Sequence, residues 1–185
     1  MLEEAARRGH PGAMVQAANI AGELGRVNVE QFWLETAAAA GSGQAMYNLG
    51  VLEFERGSRS AAATWLERAA AAGEDIGYAA LVELAEQAED VEGAKRWAEA
   101  GAKAGNPRCL GLHGMYLCRE GPSHVQEGLH FLEAGASKGD PDAMLQAGIT
   151  WNYQGNAAQS KYWLEQALKA GHPRARETLI KYGMG

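Results

Sequence analysis

Residues 62–73 read AATWLERAAAAG. An aromatic residue, Trp65, is followed by Leu66 and Glu67, then by small residues, then by Gly73. The phrase recurs outward in both directions. It reads WLETAAAAG up to Gly41, WAEAGAKAG up to Gly105, FLEAGASKG up to Gly139 and WLEQALKAG up to Gly171, and an echo, MLEEAARRG, ends at Gly9 with Met1 in the aromatic slot. From Gly9 to Gly171 these glycines are spaced 32, 32, 32, 34 and 32 residues apart. Four positions after each stands a small residue: Ala13, Ala45, Gly77, Cys109, Ala143 and Ala175. Sixteen positions after stands a second glycine, Gly25, Gly57, Gly121 or Gly155, and only Glu89 breaks that column. Three columns in register along the chain are the signature of a structural repeat.

Each unit is long enough for two helices of about 14 residues with short turns. The first helix carries the small residue and often a Leu-Gly or Ala-Gly pair, as at Leu49-Gly50 and Ala147-Gly148. The second carries the aromatic: Trp33, Trp65, Trp97, Phe131 or Trp163. Glycine ends the helices, because a left-handed residue at a helix C-terminus costs glycine nothing. Pro11, Pro107, Pro141 and Pro173 follow two residues after a glycine and fit the first turn of the next helix, where a missing N–H is harmless. Asn106 and Asp140 precede two of these prolines as N-caps. No pair has a core of its own, so each must bury its small and aromatic faces on its neighbours. The tryptophans are therefore read as core, with Trp97→Ala costing about 3–5 kcal/mol.

The pattern resembles the Sel-1-like repeat family, a branch of the tetratricopeptide-like helical repeats. The matching residues are the A-x-x-x-L-G of Ala45 to Gly50 and the A-x-x-W-L-E-x-A-A-x-x-G of Ala62 to Gly73, with similar stretches around Trp97 and Trp163. The resemblance implies an all-α fold: a right-handed α-solenoid of antiparallel helix pairs. About five 32-residue repeats would form a single array over residues 1–185, with units near 10–41, 42–73, 74–105, 106–139 and 140–171 and partial units at 1–9 and 172–185. The family unit is usually longer, and its tyrosine near the end of the first helix is missing from most units here; Glu53 holds that slot in one. The chain begins inside a second helix and stops after a first helix near Tyr182, so it reads as a fragment of a longer array or as one whose ends pack on another chain. The resemblance also implies a non-enzymatic adaptor that holds partner proteins in assemblies or signalling pathways.

Composition bounds the function. The chain has 185 residues, 17 Lys plus Arg against 23 Asp plus Glu, and a formal net charge of −6. That balance argues against nucleic acid as a partner, which needs a clustered basic face. No run of 18 apolar residues codes a membrane-inserting helix. The start, MLEEAARRGH, lacks the basic and apolar regions of a secretory signal. Cys109 and Cys118 lie nine residues apart on one predicted helix, about 13 Å, too far to pair with each other. Both observations point to a cytoplasmic, reducing setting.

No cofactor or metal is expected. Cys109 and His113 at i, i+4 are two ligands, where a structural zinc site needs four. His10 and His172 follow helix-ending glycines, which reads as capping or a solvated turn. Glu35, Glu67, Glu99, Glu133 and Glu165 recur once per unit, and a residue needed in every unit is structural. With no nucleophile elbow and no phosphate loop, the chain is read as a non-enzyme.

Function then falls to the surface. Offsets +5, +8, +9 and +12 after the glycine are expected to be buried, and +6, +10 and +13 to face the inner, concave surface of the array. That places Val15, Asn19, Tyr47, Val51, Phe54, Glu83, Glu86, Met115, Leu145, Ile149 and Asn152 in a groove for a partner peptide or helix, with Ala79 and Cys118 beside them. The acids Glu74, Asp75, Glu83, Glu86, Glu89, Asp90 and Glu92 are interrupted by no Lys or Arg. They form either a solvated face or a patch that steers a basic segment of the partner. Self-association through the open ends is the structural alternative, and a small-molecule sensor a third.

Overall fold

The computed structural model describes Ala6 and residues 9–184. The Met1 slot of the repeat lies outside them. Among the described residues the chain is all-α, a solenoid of short helices in pairs with no strand. It divides between Glu89 and Asp90 into two compact units, and the division falls inside the 74–105 repeat. The first unit holds α1 (Pro11–Glu23), α2 (Val27–Ala39), α3 (Gly43–Glu55), α4 (Arg59–Ala71) and α5 (Ile76–Gln87). The second holds α6 (Val91–Lys103), α7 (Pro107–Glu120), a 3-10 turn at Pro122–His124, α8 (Val125–Ser137), α9 (Pro141–Tyr153), α10 (Ala157–Lys169) and α11 (Ala175–Lys181).

The punctuation expected from the sequence sets these boundaries. The glycine columns take positive φ, from +68° at Gly25 to +98° at Gly139, and wider at Gly121. In the turn after α1 the Gly25 N–H bonds to the carbonyl of Gly22 and the Arg26 N–H to that of Ala21, which satisfies two carbonyls that the helix leaves open. Glu89, in the same column, takes φ +58° although it has a Cβ. Asn106 accepts from the Cys109 N–H, and Asp140 from those of Asp142 and Ala143. Ser42, Asp90 and Asn156 cap α3, α6 and α10 in the same way. Pro11, Pro107 and Pro141 open their helices; Pro173 differs, lying in the turn before α11.

The core runs along the small-residue columns. Ala45, Cys109, Ala143 and Ala175 are buried. Close approach is tightest between α7 and α8, where a Cβ on Gly114 would lie 2.6 Å from the Gly128 carbonyl. In the first unit one cluster joins Met14, Val15, Leu34, Ala45 and Leu49, with Trp33, Tyr47 and Trp65 against its edge. The aromatic column is shallower than the sequence reading places it. Only Trp163 is buried, while Trp33, Trp65, Trp97 and Phe131 are half-buried. The residue one step further on is the anchor: Leu34, Leu66, Leu132 and Leu164 are at most 4% exposed. The Trp163 indole N–H, like that of Trp151, donates to Glu133 Oε1, at 3.1 and 2.8 Å.

Candidate functional site

Grooves open between successive first helices in both units, and the α7–α9 pair carries two, one of them beside Asp140 and Asp142. In the first unit a groove of about 200 Å³ runs between α3 and α5. Tyr47, Val51 and Phe54 line it from α3, and Ala80, Glu83, Leu84 and Gln87 from α5, over a floor of Gly50 and Leu66. Gly50 makes room for that floor, since a Cβ there would lie 2.7 Å from Leu66 Cγ. Phe54 and Val51 are 37% and 36% exposed, so apolar surface faces solvent. Four of the residues assigned to the groove from sequence thus meet: Tyr47, Val51, Phe54 and Glu83. Glu86 is exposed on α5 but does not line it.

A second groove, of about 320 Å³, lies between α7 and α9 of the second unit. It takes Met115 and Ile149 from the expected set, together with Cys118, Leu132, Gln146, Thr150 and Tyr153. Arg119 stands at its edge. Asn152, half-buried on α9, does not line it. Asn19 is exposed on α1 and accepts a 3.4 Å bond from Asn48 Nδ2, which ties α1 to α3.

Val15 and Leu145 are corrections. They are 2% and 1% exposed, in the core and not on a groove wall; Ala79, at the same +6 offset, is buried too. The +6 position turns toward the first helix of the following pair. Leu145 clusters with Ala175 and Leu179, and Val15 with Ala45 and Leu49, in both cases the +4 and +8 residues of that helix. Gly111 holds the same offset, and a Cβ there would lie 2.9 Å from the Ala143 Cβ. Tyr47 is too large for the slot and is left half-buried at the groove. The opposite wall was missed. Ala80, Leu84 and Gln87, like Gln146, Thr150 and Tyr153, sit at offsets +7, +11 and +14. Their spacing of four and three is itself a helical stripe that the sequence shows.

Several of the remaining polar groups are engaged in structure. Asp142 accepts from Arg108 at 3.1 Å and pairs with His172 Nε2 at 2.9 Å, while His172 Nδ1 accepts from the Arg174 N–H, the capping role expected of that turn histidine. Burial pushes the Asp140 carboxyl above its usual range, against the pull of its two capping N–H bonds. Within the acidic run, Asp90 is spent as an N-cap and Glu92 pairs with Lys95 at 3.4 Å. Cys109 is buried in the packing column, and His113 stands edge-on to Phe131 with ring centroids 4.6 Å apart. Burial holds the His113 ring below its usual pKa. Among the described residues no three His, Cys, Asp or Glu side chains come together as metal ligands, and no helix is long and apolar enough to cross a membrane.

No family model and no curated protein sequence matches the chain. Solved structures do. A Sel1 repeat protein from Oxalobacter formigenes aligns over 92% of this chain and 77% of its own, with a TM-score of 0.73 and 21% identity. A protective antigen of uropathogenic Escherichia coli displaying an SLR fold aligns over 99% of this chain, with a TM-score of 0.78 and 19% identity; this chain spans 44% of that one. YrrB, a TPR protein with an unusual peptide-binding site, aligns over 97% of both chains, with a TM-score of 0.56 and 18% identity. At these identities the likeness is one of fold: the chain has the helix-pair repeat fold seen in Sel1 repeat and TPR proteins.

Proposed function

We propose that the chain is a non-enzymatic interaction module that binds a peptide or helix of a partner protein in the α3–α5 groove. One observation carries this reading: Tyr47, Val51 and Phe54 present solvent-facing apolar surface beside Glu83 in a groove open along one side. Such a surface favours a segment with apolar anchors at helical or extended spacing and a basic residue against Glu83. YrrB, with its peptide-binding site, supports the class of ligand through fold alone. The test is fluorescence anisotropy with a short labelled peptide of Leu and Lys. Wild type should bind it, and Tyr47→Ala with Phe54→Ala should weaken binding by about tenfold or more while far-ultraviolet circular dichroism is unchanged. Equal binding by the folded double variant refutes the groove.

A second reading has its own observation. In the first pair Ile20, Leu24 and Phe32 are 47%, 62% and 58% exposed, more apolar surface than an isolated chain gains from showing. Self-association through that end would cover it. Sedimentation velocity decides: an s-value rising with concentration, abolished by Leu24→Glu with Phe32→Glu, supports assembly, and a constant monomer value removes it.

A further inference from the structure

Inside each unit, neighbouring first helices meet through fixed columns. Offsets +10 and +13 of one helix line the seam opposite offsets +7, +11 and +14 of the next. α1 carries the latter set as Gln16, Ile20 and Glu23, and no first helix precedes it among the described residues. Ile20 lies exposed there, while Tyr116, at the same offset in α7, is buried. α11 shows the converse. Offset +9 is Gly50, Gly114 and Gly148 in α3, α7 and α9, where a Cβ would come within 2.7, 3.0 and 2.6 Å of the leucine Cγ on the following helix. In α11 it is Ile180, 67% exposed, and no helix follows among the described residues.

The two faces also differ in charge. α1 and α2 hold three acids, Glu23, Glu30 and Glu35, and no base; Arg26 lies in the turn between them. α11 holds Arg176 and Lys181 against Glu177, and Arg174 precedes it. Glu23, Arg176 and Lys181 are exposed and have no ion-pair partner among the described residues.

We infer that the apolar face of the first pair is covered by the α11 face of a second copy of this chain, in a head-to-tail contact. This rests on self-association through the first pair and names the surface that meets Ile20 and Leu24. Repeat units bury their faces on neighbours, so an outermost face that stays apolar needs cover. The occupant follows from the repeat and from charge. A first helix is what meets the Ile20 column inside each unit, and Arg176 and Lys181 are opposite in sign to the acids of the first pair. Two first pairs face to face would set three acids against three. The contact is therefore heterologous, each copy contributing a different surface.

The experiment is sedimentation velocity on the full chain and two variants at matched concentration. Ile20→Glu with Leu24→Glu blocks the first-pair face, and Ile180→Glu with Lys181→Glu blocks the α11 face. All four positions are exposed, and far-ultraviolet circular dichroism checks folding. Wild type should associate, and each variant alone should sediment as a monomer. Mixed one to one, the variants should regain a faster-sedimenting complex, because the intact α11 face of one meets the intact first-pair face of the other. Association of the Ile180/Lys181 variant at wild-type strength overturns the inference and leaves self-association through the first pair standing, with two first pairs in contact. A mixture that stays monomeric overturns it too. Wild-type association by the Ile20/Leu24 variant, or a wild type that stays monomeric, removes that reading and this one together.

Discussion

At the scale of the residue, Glu89 holds the one glycine-column position among the described residues filled by a side chain. A left-handed backbone brings Cβ near the following carbonyl oxygen and costs an ordinary residue about 1–2 kcal/mol. Glu89 takes φ +58° and is exposed, so no packing offsets the strain. Glu89→Gly should therefore stabilise the chain by about 1 kcal/mol, a gain of a few degrees in melting temperature, while Glu89→Ala should give none of it. A Glu89→Gly protein that melts no higher than wild type would show that the turn is not strained. His113 sets a second expectation. Its ring lies against Phe131, and Glu99, Glu127 and Glu120 raise its pKa while Lys103 and, above all, burial lower it. The folded pKa is thus below the unfolded value of 6.5. Between the two values the unfolded chain holds more protons, so stability is full above the unfolded pKa and is lost as pH falls below it. His113→Gln should flatten the drop in melting temperature between neutral and mildly acid pH. An identical drop in both proteins would place the titration elsewhere.

At the scale of the element, the sequence is most legible where a residue type answers a local backbone demand. Glycine columns, prolines at Pro11, Pro107 and Pro141, and caps at Asn106 and Asp140 each act within one turn of chain, so spacing alone locates them. Burial is less legible because it depends on neighbours. The inner helices are touched from several sides, α7 by α6, α8 and α9, and the buried arc is wider than the single stripe of an isolated amphipathic helix. That width drew Val15 and Leu145 into the core and left Phe54 and Ile149 at grooves. It also grades the tryptophans. Trp163 is 8% exposed, packs with Leu132, Ala136 and Ala147, and donates to Glu133 at 3.1 Å. Trp65 is half-buried, with the Arg68 guanidinium carbon 4.1 Å from its ring centre. Trp163→Ala should cost about 3–5 kcal/mol and Trp65→Ala about half of that. Denaturant midpoints with equal m-values measure both, and a larger loss at Trp65 would reverse the assignment of depth.

At the scale of the whole molecule, the compact units differ in charge more than in fold. Residues 1–89 hold 13 acids and 6 bases, a net of −7; residues 90–185 hold 10 acids and 11 bases, a net of +1. The sequence shows this asymmetry as a count. Which charges reach a groove it does not show, because Glu83 and Arg119 become lining residues only once two helices stand side by side. The asymmetry carries a prediction about salt. A cationic peptide approaching the α3–α5 groove feels the summed field of the −7 unit, which acts over a Debye length of about 30 Å at 0.01 M salt and about 8 Å at 0.15 M. Raising salt across that range should therefore slow association of the Leu/Lys peptide severalfold, with its dissociation rate nearly constant. Stopped-flow anisotropy separates the two rates. An association rate indifferent to salt would mean that the peptide senses only its local contacts and not the field of the unit.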